Sequence, residues 1–222
     1  TETVAAIIAS GVIPAALEMV DRGILAALKA AFGLEYPAGS DALLLVECDG
    51  DDRARVLDEM ATVERIALAH ECIDVARAKD DKERAKLWVA RKKGVGAMGR
   101  LAPSVVTHDG VIPRSRLPEM LDRVYEIAAR HRVGVANIFH AGDGNLHPCF
   151  YFDDRDPAQV RAVVEAGEEV IRVCLDLGGS ITGEHGVGVE KLDLMAMMYT
   201  PEDLAIQSRV REAWNPPDSL CN

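Results

Sequence analysis

His140-Ala141-Gly142-Asp143-Gly144-Asn145-Leu146-His147 is the stretch on which the reading of this chain turns. Apolar runs flank it, Val133 to Phe139 before and Leu146 to Phe152 after. An Asp-Gly pair between two such runs is the strongest short-range signal for a hairpin closed by a two-residue type I′ turn. Counting outward from Asp143-Gly144 pairs Gly142 with Asn145, Ala141 with Leu146 and His140 with His147. Directly opposed residues of an antiparallel pair share a face, with Cβ atoms roughly 4.5–5.5 Å apart. Two imidazoles so placed can hold one metal ion. The plain alternative is that each histidine caps a sheet edge or satisfies a local hydrogen bond, and a lone histidine is read that way first.

A second polar island is Gly178-Gly179-Ser180-Ile181-Thr182-Gly183-Glu184-His185-Gly186-Val187-Gly188, ahead of a helical run from about Val189 to Met198. Glu184 offers the carboxylate of a His₂Glu metal set, which leaves coordination positions open for a substrate. His185 then stands beside the metal as a candidate base. Glycines around them let the backbone approach a ligand closely. Taken alone, the island also reads as an ordinary glycine-rich turn with solvated polar residues.

Taken together, His-x-Gly-Asp-Gly-Asn-x-His and Gly-Glu-His-Gly-x-Gly some forty residues later resemble the C-terminal domain of FAD-linked 2-hydroxyacid oxidoreductases. That family includes the glycolate oxidase flavin subunit, D-lactate dehydrogenases and D-2-hydroxyglutarate dehydrogenase. Supporting matches are Ile13-Pro14-Ala15-Ala16-Leu17-Glu18, Leu44-Leu45-Val46-Glu47-Cys48-Asp49-Gly50, Leu87-Trp88-Val89-Ala90-Arg91 and Asp109-Gly110-Val111-Ile112-Pro113-Arg114. The resemblance spans essentially residues 1–222. It implies FAD held mainly by an N-terminal domain that this chain lacks, a small 2-hydroxyacid substrate, and electron-transfer subunits as further partners. The start at Thr1 and the tail from Asn215 to Asn222 agree with a piece of a longer protein.

Composition sets the frame. With 222 residues and 49% hydrophobic content, the chain can bury the core of one domain with a helical appendage. A net charge of −11 argues against a nucleic-acid partner, which needs a basic surface. The five cysteines (Cys48, Cys72, Cys149, Cys174 and Cys221) are odd in number and form no Cys-x-x-Cys. Reduced thiols of a cytoplasmic protein are the expectation, with attachment to the inner membrane through partner subunits left open. Apolar stretches fall far short of the ~18 residues of a membrane span, and no signal peptide is visible.

Periodicity predicts a short helix around Val4–Ile8, a strand near Ala15–Val20, and a helix capped by Asp21 that runs to Phe32 and stops at Gly33. Leu43–Cys48 reads as a buried strand and Cys72–Ala78 as another. Helical spacing covers Asp52 to about His70, Asp81 to about Lys93, and Ser115 to Arg130. Pro103 to Pro113 reads as extended with a turn. Asp156-Pro157 opens a helix to about Leu177, and Thr200-Pro201 opens the last one. Strands separated by helices, with one tight hairpin, give an α+β domain: a largely antiparallel sheet with helices packed on it and a helical C-terminal part. The resemblance adds ferredoxin-like units to that sheet.

Gly94-Val95-Gly96-Ala97-Met98-Gly99 spells the Gly-x-Gly-x-x-Gly of a dinucleotide site. It follows a charged helix rather than a buried strand, so it is read as a loop and not as a nucleotide site. Arg91 just before it carries a planar guanidinium suited to a bidentate grip on a carboxylate. Its local reading is a solvated helix end beside Lys92 and Lys93; the resemblance implies the substrate-carboxylate anchor. Some relatives place a lysine shortly before the Asp-x-x-x-Pro segment, where this chain has Thr107 and His108, which argues against a second substrate carboxylate. Cys149, two residues past His147, is read as pocket lining, and Met195, Met197 and Met198 as core.

The expectation is thus the substrate- and metal-binding domain of a flavin-dependent 2-hydroxyacid dehydrogenase acting on glycolate or D-lactate. A zinc, iron(II) or manganese ion on His140, His147 and Glu184 lowers the pKa of the substrate hydroxyl. His185 takes the proton, imidazoles titrating at about 6.5. Arg91 holds the carboxylate, and hydride goes to FAD. The chain alone is expected to be catalytically silent. Two alternatives use the same His₂Glu set: a metal-dependent hydrolase, and a non-enzymatic metal-binding or assembly module.

Overall fold

The computed structural model describes residues 2–215. In chain order these form α1 (Glu2–Ala9), β1 (Ala16–Asp21), α2 (Arg22–Phe32), β2 (Ala42–Glu47), α3 (Arg53–Ala69), α4 (Asp81–Leu87), α5 (Val89–Ala97), β3 (Ser104–Thr107), β4 (Gly110–Val111), α6 (Leu117–His131), β5 (Gly134–His140), β6 (Asn145–Phe152), α7 (Pro157–Asp176), α8 (Met195–Met198) and α9 (Pro201–Trp214). The caps are local chemistry. Asp21 accepts from the Ile24 N–H at the start of α2, and Gly33 ends it in the left-handed region. Asp156 caps α7 ahead of Pro157, and Thr200 with Asp203 forms a capping box on α9.

The fold is α+β, built on one six-stranded sheet of order β2-β1-β5-β6-β3, with every pair antiparallel. β4 continues along the β3 edge of β6, and the two edge strands are interrupted at His108-Asp109. Strand alternation sends side chains to two cores. Leu17, Met19, Phe139, Leu146 and Phe150 pack with α1, α3, α6 and α7 on one face. Val20, Ala136, Ile138 and Cys149 pack with α2 and α5 on the other. Glu18, His140, Asn145 and His147 fall on this second face by parity.

Several expectations are corrected. Leu43–Cys48 is an edge strand, Ala42–Glu47, half-buried because β2 pairs with β1 alone. Cys72–Ala78 is not a strand: Glu71 turns the chain through φ +58°, and Ile73 and Val75 are exposed with no strand to pair with. The Asp81–Lys93 helix breaks at Trp88, and the run Gly94 to Gly99 is not a loop but the second half of α5 followed by a 3₁₀ turn. Gly94 is the reason that α5 can lie there. A Cβ on it would sit 2.9 Å from Ile24 Cγ2 and 3.3 Å from Ile138 Cδ1, so α5 seats directly on α2 and β5. The Val189–Met198 run shrinks to a 3₁₀ turn and the short α8, whose Met197 and Met198 are exposed rather than core.

Cys48, Cys72, Cys149 and Cys174 are free thiols; Cys221 and the rest of the tail from residue 216 lie outside the described residues. Among the described residues, no helix is long and apolar enough to cross a membrane.

Candidate metal centre

The β5–β6 hairpin is closed by four residues, Ala141 to Gly144, and not by a two-residue type I′ turn at Asp143-Gly144. Its register pairs His140 with Asn145 and His147 with Ile138. The expected His140–His147 pairing is therefore off by two residues, and the histidines are diagonal neighbours. Tertiary hydrogen bonds reshape the turn. Gly142 N–H donates to the Leu17 carbonyl at 3.1 Å, and Ile112 N–H donates to the Gly144 carbonyl at 3.0 Å. Gly144 has φ +75°, and a Cβ there would collide with the Ile112 carbonyl. A two-residue slip preserves which face each side chain takes, so the rings still meet, with centroids 5.4 Å apart.

Both imidazoles aim Nε2 at one carboxylate oxygen. Glu184 Oε1 lies 3.1 Å from His140 Nε2 and 3.0 Å from His147 Nε2. The outer nitrogens fix the tautomers. His140 Nδ1–H donates to Glu18 Oε1 at 2.7 Å, and His147 Nδ1–H donates to the His108 carbonyl at 3.3 Å. A histidine whose outer N–H is held by a carboxylate or carbonyl presents a lone pair at the other nitrogen, as metal ligands do. Burial, helped by the neighbouring His185 and His140, holds His147 below the usual imidazole range and so neutral. Glu184, half exposed, presents the one oxygen Oε1 to both rings. Three ligand atoms thus converge, an arrangement that a cation stabilises. The spacing fits as well, since two ligands at about 2.1 Å from one ion stand about 3.0–3.4 Å apart. The residues present therefore suit a divalent metal.

The loop carrying Glu184 and His185 is held by Asp109, which is fully buried. Its carboxylate accepts from the Thr182 hydroxyl (2.5 Å) and from the backbone N–H groups of Gly183 (2.9 Å), Glu184 (3.2 Å) and His185 (3.1 Å). Burial pushes this carboxyl up, but those donors together hold it far below the ordinary range. A second cluster, Asp109, His147 and His185, also brings donor atoms together. Asp109 is already saturated there, so it serves the loop rather than an ion. His185 stacks on His147 with centroids 4.8 Å apart and planes 9° apart, and its Nε2 is 4.0 Å from Glu184 Oε1.

Arg91 reaches the same place from α5. Its Nε donates to Glu18 Oε2 and its Nη2 to His140 Nε2 at 3.1 Å. The structure thus brings together all five residues singled out in the sequence: Arg91, His140, His147, Glu184 and His185. Of the five, His140 and Glu184 line an open pocket of about 360 Å³, with Val111, Asp143, Asn145 and Gly183. Cys149 does not line it: that thiol is buried in the α2–α5 core and pushed up to about 11 by burial. Two residues were missed as site elements. Glu18 had a signal, a lone charge in the strand Ala16-Leu17-Glu18-Met19-Val20. Asp109 had no local signal, because its partners lie more than seventy residues away.

The family of FAD linked oxidases, C-terminal domain, matches residues 1–222. This chain belongs to that family. The FAD-linked oxidase domain is 37% identical over 216 residues to glycolate oxidase subunit GlcD of Escherichia coli, covering 97% of this chain and 43% of that protein. It is 33% identical to the Bacillus subtilis GlcD, over 99% of this chain and 46% of the relative. The mitochondrial cytochrome-type D-lactate dehydrogenase of Arabidopsis thaliana is 27% identical, with 95% of this chain and 37% of that protein covered. The chain spans less than half the length of these curated relatives. In fold it is similar to 4-ethylphenol oxidase from Gulosibacter chungangensis, with a TM-score of 0.65 at 14% identity, over 99% of this chain and 49% of the other.

Proposed function

We propose that this FAD-linked oxidase domain is the substrate- and metal-binding part of a flavin-dependent 2-hydroxyacid dehydrogenase that oxidises glycolate or D-lactate. In this reading an N-terminal FAD-binding domain precedes it in the whole protein. One observation carries the proposal: a cationic anchor touches one ligand of a three-donor metal set and a candidate base stacks on another, in a chain more than a third identical to a glycolate oxidase subunit. When bound, a divalent metal on His140, His147 and Glu184 supplies Lewis acidity to the substrate hydroxyl, and FAD supplies the hydride acceptor.

This chain's own residues do the rest. Arg91 has its Nε committed to Glu18 and its Nη2 to His140, which leaves Nη1 to meet a substrate carboxylate. A carboxylate on Arg91 sets the neighbouring α-carbon and hydroxyl toward the pocket that His140 and Glu184 border. His185, fixed by its stack on His147 and by its N–H on Asp109, takes the hydroxyl proton at its ring nitrogen. Asp109 holds the loop so that Glu184 and His185 keep that spacing. The apolar residues Ile206, Val210 and Trp214 on α9, exposed here, offer a surface for the flavin-binding part to cover.

The test is anaerobic reduction in the whole protein. Glycolate or D-lactate is expected to bleach the flavin absorbance, and a chelator to slow the bleaching. A whole protein that binds no flavin, or whose flavin neither acid reduces, overturns the reading and leaves the hydrolase and binding-module alternatives.

A further inference from the structure

We infer that Glu18 is a positioning residue that sets the metal ligand and the substrate anchor together, a role that rests on the function proposed above. Glu18 lies on β1 directly opposite His140 on β5, and its side chain is only 11% exposed. Its two oxygens are divided between the two parts of the site. Oε1 accepts from His140 Nδ1–H at 2.7 Å, and Oε2 accepts from Arg91 Nε–H. Among the described residues, no other side chain hydrogen-bonds to both.

The division explains why a carboxylate is needed. Two donors, an imidazole N–H and a guanidinium N–H, face the same side chain and require an acceptor each. A carboxylate has two; the isosteric amide has one, and turns an NH₂ donor toward the other partner. Against His140, that donor forces Nδ1 to become the acceptor. The ring proton then moves to Nε2, the nitrogen that faces Glu184 Oε1 and would face the ion. Against Arg91, it sets N–H against N–H and frees the guanidinium to swing. Either flip damages one part of the site, so glutamine cannot serve both. Aspartate keeps the charge and both acceptors but is one methylene shorter, so it is expected to rescue in part. The strand register fixes the device, since a one-residue slip between β1 and β5 would send Glu18 and His140 to opposite faces of the sheet.

The experiment compares wild type, Glu18→Gln, Glu18→Asp and, as a control, Glu59→Gln, which removes a charge paired with Arg55 within α3. Three readouts are taken: zinc and manganese affinity by calorimetry, the ring ¹⁵N spectrum of His140, and kcat and KM for glycolate and D-lactate in the whole flavoprotein. Glu18→Gln is expected to weaken metal binding about 10- to 100-fold, to shift His140 toward the Nε2–H tautomer, and to raise KM. Glu18→Asp should fall between it and wild type, and Glu59→Gln should match wild type. Metal affinity, tautomer and KM all unchanged in Glu18→Gln overturn the inference, while wild-type metal binding and flavin reduction still uphold the function. A wild type that neither binds metal nor reduces flavin overturns the function and the inference with it. Should Glu18→Gln fail to melt cooperatively, the wild-type spectrum alone decides: His140 protonated at Nε2 in the metal-free protein overturns the inference.

Discussion

Lys191 Nζ donates to the backbone carbonyl of Asp109 at 2.7 Å and meets its carboxylate at 3.4 Å, and both side chains are closed off from water. Asp109 also receives four donors from residues 182–185. A buried ion pair is weak evidence for stability as a pair, but deleting one partner strands the other charge. The pair therefore ties the loop bearing Glu184 and His185 to the sheet edge beneath it.

Replacing Asp109 by asparagine is expected to destabilise the domain by about 3–5 kcal/mol, because Lys191 loses its counter-charge in a buried setting. The pH dependence has a definite sign. The folded Asp109 carboxyl is held below its unfolded value by the Thr182 hydroxyl and the loop N–H groups, against its burial. Its stabilisation is thus fully present above about pH 4, the unfolded value, and is lost as pH falls below that. Urea midpoints measured from pH 6 to pH 3 should fall more steeply for wild type than for Asp109→Asn. Parallel curves would contradict the assignment.

The metal set gives a second expectation. His147→Ala and Glu184→Gln should each lower zinc or manganese affinity by at least about 100-fold, because a three-ligand site loses a direct donor and not merely an orienting contact, whose loss is worth 10- to 100-fold. His131→Ala removes a histidine that pairs with Glu169 on the α6–α7 surface and should leave binding unchanged. Calorimetric titration of the chelated protein distinguishes the three variants.

His185 and Arg91 should separate kinetically in the whole flavoprotein. Loss of a general base costs about 10²–10⁴ in rate, so His185→Ala should slow flavin reduction with substrate affinity little changed. Arg91→Ala removes a charge-assisted grip worth about 1.5–3 kcal/mol and should raise the concentration for half-maximal reduction about 10- to 150-fold. Single-turnover reduction at varied glycolate measures both. Wild-type behaviour from either variant removes that residue from its role.

What the sequence disclosed and what it hid divide along a physical line. Caps such as Asp21, Asp156 and Thr200 were legible because their partners lie within three residues. The shared face of His140 and His147 was legible because strand parity survives a two-residue slip, whereas the turn type was not. Leu17 and Ile112, distant in sequence, decide the turn through hydrogen bonds. Cys72–Ala78 carries a strand-like alternation without an edge to join. Arg91 needed the family resemblance, since nothing local tells a solvated helix end from one seated beside a strand. Gly94 explains that seating, and only the packed structure reveals it.

Gly94 and Gly96 make the last prediction, because they stand two residues apart in α5 and face opposite conditions. A Cβ at Gly94 would press on Ile24 and Ile138, both fully buried, whereas a Cβ at Gly96 meets nothing within 4 Å. Gly94→Ala should cost about 1–3 kcal/mol through overpacking. It should also weaken substrate binding, since lifting α5 draws Arg91 away from Glu18 and His140. Gly96→Ala should stabilise the helix by about 0.5–1 kcal/mol and leave substrate affinity alone. Thermal unfolding and KM measured on the same two proteins provide the check. Equal effects from the two alanines would mean that α5 is not held by that close approach, and that Arg91 owes its place to Glu18 alone.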